Sequence, residues 1–346
     1  MLTLPIPRGE TSGALLSALR AAPGERLLPD AADDDPLAGD DQHLALYLIY
    51  ELHYRGLPGV DDRWEWEPEL IALRTALEAR FEAALVEQLG APSDGVAPDE
   101  MDLALRAIAD ADEAPSVSTY IERTASLPQV LEFVVHRSAY QLKEADPHSF
   151  ALPRLWGPPK AAMVEIQADE YGGGRPERIH AQLFADSMAA LGLDARYGAY
   201  VDRIPGVTLA TVNLMSMLGL QRRWRGALVG HLALFEMTSS LPNARYARGL
   251  RRLGFDGAAT AFFDEHVEAD AVHENLAAVD LAGGLARQQP ELARDVLWGA
   301  RALVDVEARW ARHLMDAWER GETSLLAEIE DGRPPVDDAA GASSGV

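Results

Sequence analysis

Over most of its length the chain is written in runs where apolar residues recur three and four positions apart, and proline or glycine stops each run. From 42 to 145 these read QHLALYLIYELHYR, PELIALRTALEARFEAALVEQLG, MDLALRAIADAD and SVSTYIERTASLPQVLEFVVHRSAYQLKEAD. That period closes on one face of an α-helix, whereas a strand would alternate at every second residue. No strand alternation, no heptad run and no repeat of about 20 to 50 residues interrupts it, so the expected fold is all-α. The stretch from 205 to 238, poor in charge in its first half, is expected to be one central helix buried on most sides. A final helix is expected over PELARDVLWGARALVDVEARWARHLMDAWERGE.

Three regions follow from this pattern. Residues 1–125 are expected to form helices that cover a bundle or build a homodimer surface, residues 126–325 the bundle itself, and residues 326–346 a disordered tail. The acidic stretch LPDAADDDPLAGDD reads as a solvated loop. A formal charge of −24 argues against nucleic acid or an anionic membrane as partner. The start, MLTLPIPRGE, lacks a basic segment followed by an apolar one, and a cytoplasmic protein is expected. The absence of cysteine removes thiolates as nucleophiles and as ligands, so any metal must be held by histidine and carboxylate.

One segment supplies such donors. In FFDEHVEADAVHENLAAV, His266, Asp270 and His273 are spaced by 4 and 3, and at about 100° per residue they leave one face of one helix. Two neutral imidazoles and a carboxylate suit iron, manganese or zinc, whereas calcium and magnesium prefer oxygen alone. Glu236 stands in the apolar run HLALFEMTSS, where an unpaired carboxylate would be costly and a metal removes the penalty. Glu170 ends KAAMVEIQADEY, and His180 follows ten residues later. Ten residues fit a single straight helix poorly, but the intervening Gly172-Gly173-Gly174 permits a kinked turn that brings the two together. Three histidines and three carboxylates exceed the needs of one non-haem iron and suit two Fe(II), whose four positive charges they nearly balance. Glu236 is the expected bridging and catalytic carboxylate.

Taken together, Glu170, His180, Glu236 and the His266/Asp270/His273 triplet resemble the haem-oxygenase-like di-iron oxidases and oxygenases. DEYGGG and QLKEADPHSF read like bacterial members described as iron-containing redox enzymes. The resemblance runs over about residues 130 to 280. It implies a seven-helix, haem-oxygenase-like bundle, here with additional N-terminal helices, and two Fe(II) per chain with O2 as co-substrate. It also implies a reaction among N-oxygenation, oxidative decarboxylation, desaturation and carbon–carbon cleavage, with an electron donor as a further partner. In the N-oxygenating branch an extra carboxylate occurs near the place of Glu144, which is therefore a candidate seventh ligand and catalytic residue. The other reading of Glu144 is a helix C-terminal residue before Pro147.

Rival readings remain open on sequence. Glu177-x-x-His180 and Asp270-x-x-His273 imitate the Glu-x-x-His pairs of ferritin-like bundles but leave His266 unused. A cofactor-free oxidase of the same superfamily would not need the donors, and a non-catalytic metal- or partner-binding protein would consume no O2. Glu132 and His136 are read as a polar contact beside the core, and His43, His53, His148, His231 and His313 as structural or surface residues. For a small amine- or amino-acid-like substrate, Glu165 and Asp169 are candidate acids, and Arg154 and Lys160 candidate carboxylate partners.

Overall fold

Proline, glycine and a few polar caps set the helix boundaries in the computed structural model, which describes residues 4–31, 33–93 and 95–329 but not the side chains of 268–272. In chain order the helices are α1 (Glu10–Leu19), α2 (Asp40–Glu51), α3 (Pro68–Leu89), α4 (Met101–Asp110), α5 (Val117–Arg123), α6 (Leu127–Gln141) and α7 (Asp146–Ser149). There follow α8 (Gly157–Glu170), α9 (His180–Ala190), α10 (Gly206–Leu220), α11 (Arg225–Arg252), α12 (Ala258–Asn275), α13 (Gly284–Gln288) and α14 (Ala293–Glu319). A π-helical stretch, Leu276–Gly283, joins α12 to α13. The fold is all-α, and no strand occurs among the described residues. The expected tail falls mainly on 330–346, outside the described residues.

Ser126 and Gln129 open α6 with a reciprocal capping box, in which the Ser126 N–H donates to Gln129 Oε1 at 2.9 Å. The acidic stretch is more than a solvated loop. Asp34 accepts from the N–H groups of Asp41 and Gln42, both at 3.0 Å, and Asp41 accepts from those of Thr11 and Ser12 at 2.9 and 2.7 Å. These carboxylates satisfy orphan donors at the starts of α2 and α1, where negative charge is also favoured by the helix dipole.

The predicted single helix over 205–238 is instead two. All of α10 from Gly206 to Gly219 is buried, but Gln221 is extended (φ −98°, ψ 112°) and a 3-10 turn, Arg222–Trp224, precedes α11. Polar residues at this corner leave the core: Gln221 donates to Glu78 at 2.5 Å, and Arg223 pairs with Glu82. An apolar count does not register that break.

Helix α11 is the axis on which the site is built, packed against α12, α14 and α5. Its approach to α14 is close enough that a Cβ on Gly230 would lie 1.8 Å from the Val296 carbonyl oxygen, and one on Gly299 would lie 2.0 Å from that of Ala227. One continuous apolar core runs from Leu15 in α1 to Leu325 beyond α14, and α2 lies directly on α10. No helix among the described residues is long and apolar enough to cross a membrane.

Candidate metal centre

Helix α8 delivers Glu170 at its last position, and the chain then reverses through Gly172, Gly173 and Gly174, all in the left-handed region at φ 68°, 60° and 79°. At Gly172 a side chain is excluded twice over, by φ and because a Cβ would lie 2.6 Å from the Arg178 carbonyl carbon. The reversal starts α9 at His180 and sets His180 Nδ1 3.0 Å from Glu170 Oε2. The kink read from the glycines thus joins the two residues as expected.

Helix α12 lies against both α9 and α11 and carries the histidine pair between them. The His266 ring is 4.4 Å from that of His180, centroid to centroid, and its Nε2 is 3.2 Å from Glu144 Oε1 in the turn after α6. His266 Nδ1 lies 2.8 Å from the Phe262 carbonyl, a bond that puts the proton on Nδ1 and leaves the Nε2 lone pair facing the carboxylates. One turn pair onward, His273 Nδ1 lies 3.2 Å from Glu236 Oε2 on α11, and its Nε2 lies 3.0 Å from Asp169 Oδ2.

All six side chains are buried, from 1% exposed for His180 and His273 to 7% for Glu170 and Glu236. One donor atom from each of Glu144, Glu170, His180 and His266 lies within 4.8 Å of the others, and the same holds for Glu170, Glu236 and His273. The two groups share Glu170. Glu170, which the glycine reversal holds between the two halves, belongs to both groups, and Glu236, expected as the bridge, to one. Asp270 is carried by α12 between the two histidines, but its side chain lies outside the described residues.

The cluster is not satisfied by its own hydrogen bonds. Among the described residues, Glu144 Oε2, Glu170 Oε2 and His180 Nδ1 are buried without a well-formed hydrogen bond, the last two being 3.0 Å apart. Leaving such atoms unpaired costs about 1–3 kcal/mol each, more for charged groups. A divalent cation accepting their lone pairs would remove the cost, and imidazole with carboxylate suits iron among the borderline metals. The residues therefore fit the metal that the sequence implies.

Electrostatics divides the three described carboxylates. Burial pushes Glu144 and Glu236 up, with His266 and His273 only partly offsetting it. Burial opposes the charge on Glu170 too, yet His180, His266 and His273 together hold it down at about 2. His273, against burial, is raised to about 9 by Glu236 and Asp169. A cation bound among these groups would displace protons from them.

The other candidates fall elsewhere. Glu177 is exposed and outside the cluster, so the ferritin-like pairing does not form. Glu132 accepts from the Trp318 indole and from Ser324, and His136 bonds Thr208 and Ser324, a structural network as expected. Arg154 donates to the carbonyls of Gly219 and Leu220, and Glu165 is exposed on α8. Asp169, read as a substrate acid, instead holds the outer nitrogen of His273. Sequence offered little to find that role, since its partner lies 104 residues away.

A small cavity of about 30 Å³ opens on the cluster between Tyr140, Gln141, His148 and Phe235. It adjoins a larger one of about 400 Å³, and Gln141, Phe235, Ser239 and Asn243 line both. None of Glu165, Asp169, Arg154 or Lys160 lines either.

Among known proteins, the family described as iron-containing redox enzyme matches residues 131–308, just over half of the chain and the part that holds every residue of the cluster. Nitrosourea synthase from Streptomyces achromogenes subsp. streptozoticus is 28% identical over 138 residues. That stretch is 39% of this chain and 29% of the relative, so the similarity spans less than a third of that protein.

Proposed function

Because the chain belongs to the iron-containing redox enzyme family, we propose that it is a non-haem di-iron oxidoreductase that uses O2 to oxidise a small amine- or amino-acid-like substrate. The observation that carries this reading is the pair of buried donor groups joined at Glu170. One ion would be held by Glu144, Glu170, His180 and His266, the other by Glu170, Glu236 and His273. Asp270, read from the sequence as a further ligand, would complete the second set. Four carboxylates would then match the four positive charges of two ferrous ions, the condition for burying such a cluster.

When bound, the ferrous pair would supply the electrons that reduce O2. The protein's part is position, charge balance and exclusion of bulk water. The Phe262 carbonyl fixes the His266 ring, Asp169 fixes that of His273, and such outer partners are commonly worth about 10–100-fold in metal affinity. Phe235 and Tyr140, rings 5.5 Å apart, close the small cavity over the carboxylates.

Among reactions, N-oxygenation is favoured over decarboxylation or desaturation. Glu144, in the turn that ends α6, is buried with Oε1 3.2 Å from His266 Nε2, which supports a further carboxylate ligand there. The matched relative is itself named for a nitrogen-centred product.

Anaerobic reconstitution with Fe(II), followed by iron determination per chain, tests the proposal. The parent should retain about two irons, Glu144→Ala and Glu236→Ala about one each, and Glu170→Ala less than either, because it serves both sets. An unaltered iron content in Glu170→Ala, or a parent that retains none, would refute the shared-carboxylate centre. Substrate-dependent O2 uptake by the loaded protein separates an enzyme from a metal store.

A further inference from the structure

The larger cavity contains one charged pair whose place was not foreseen. Arg137 on α6 and Glu307 on α14 form a two-pronged contact, with Arg137 donating to Oε1 at 2.9 Å and to Oε2 at 2.7 Å. The guanidinium carbon sits 3.7 Å from the Trp310 ring centroid, so the fork is held flat and pre-aimed. Both side chains line the cavity and are partly exposed, 15% for Arg137 and 24% for Glu307. The other walls combine apolar and aromatic side chains, among them Phe133, Phe184, Tyr246 and Leu303, with polar ones and the acid Asp112.

The pair has a direction relative to the metal cluster. Arg137 and Gln141 are one turn apart on α6, about 6 Å along its axis, and Glu144 follows three residues later at the cluster. Gln141 lines both cavities, and its buried Oε1 has no partner among the described residues. The cavity thus brings the charged pair and apolar walls together with a stretch, Gln141, Ser239 and Asn243 among it, that it shares with the small cavity beside the carboxylates.

Building on the di-iron reading, we propose that Arg137 and Glu307 anchor the head of a zwitterionic α-amino acid whose apolar body spans the cavity and whose far end meets the cluster. A bidentate ion pair has no net charge. A simple anion drawn to Arg137 meets Glu307, and a simple cation drawn to Glu307 meets Arg137. A zwitterion lays its carboxylate against the unused guanidinium N–H groups and its ammonium against the remaining carboxylate lone pairs. Such a head keeps the α-carboxylate away from the cluster, and the unpaired acceptor of Gln141 favours an N–H at the opposite end. Arg137 and Glu307 are thus specificity residues, remote from the metal ligands.

Calorimetric titration of the anaerobic, Fe(II)-loaded protein with L-2-aminooctanoate, octanoate and octylammonium tests this, since the three share a body and differ in head. The zwitterion should bind at least about tenfold more tightly than either singly charged probe. Glu307→Gln, nearly isosteric, should lose about tenfold for the zwitterion and gain affinity for octanoate, and Arg137→Lys should lose the zwitterion preference while keeping a cation over Trp310. Equal binding of zwitterion and octanoate by the parent, no binding of the zwitterion at all, or unchanged preference in Glu307→Gln would each overturn the proposal. The parent's discrimination decides the matter even where a variant fails to fold. Iron is counted on the same samples: selectivity without iron would sink the di-iron reading and leave the anchor, and two irons without selectivity would do the reverse.

Discussion

Four buried histidines outside the cluster stay neutral because burial opposes their charge: His43 and His148 are lowered to about 4, and His136 and His231 lie well below the ordinary imidazole value. His148 Nε2 is 3.1 Å from His231 Nδ1, just behind the small cavity. For such a group the unfolded chain takes up a proton near pH 6.5 while the folded chain does not until about 4. Its contribution is therefore complete above pH 6.5 and is lost as pH falls toward 4, at about 1.4 kcal/mol per pH unit. His148→Gln, which can still bond His231, should flatten the pH dependence of urea-measured stability by about one proton between pH 6 and 4.5. An unchanged slope would show that His148 is already charged in the folded protein. At this scale much of the site was legible. His266 and His273 announce themselves by period, and Glu236 by being an acid among apolar residues. The central place of Glu170 was not legible, because it depends on α8, α9 and α12 meeting, which no local pattern encodes. Arg137 and Glu307 were invisible for the same reason, 170 residues apart on two ordinary amphipathic helices.

Helix existence follows from apolar spacing, and the structure keeps nearly every predicted run. The failure at 205–238 is instructive: apolar content continued, but Gln221 and Arg223 found carboxylates on α3 and turned the chain outward. Contacts with a distant helix decided a local break. The crossing of α11 and α14 is another property of elements, made possible by glycine on each side. Gly230→Ala should force the two helices apart and destabilise the protein by at least about 2 kcal/mol, despite the better helix propensity of alanine. Chemical denaturation measures this, and a stabilised variant would mean that the two helices do not approach so closely.

Across the whole molecule, the donors come from five separate segments: the turn after α6, then α8, α9, α11 and α12. Among the described residues this meeting point holds buried acids and atoms lacking partners, so a bound metal would contribute folding free energy as well as chemistry. Fe(II) at about a hundred times its dissociation constant should stabilise the anaerobic protein by about 2.7 kcal/mol and raise Tm by several degrees. A chelator should return the transition to its starting point, and a Tm indifferent to iron would count against a buried centre. The overall charge of −24 also concentrates cations around the chain at low salt.

The wall bearing Glu307 and Trp310 comes from α14, a helix that gives no donor to the metal cluster. Substitutions on that surface can therefore reshape the larger cavity while the clustered histidines and carboxylates stay as they are.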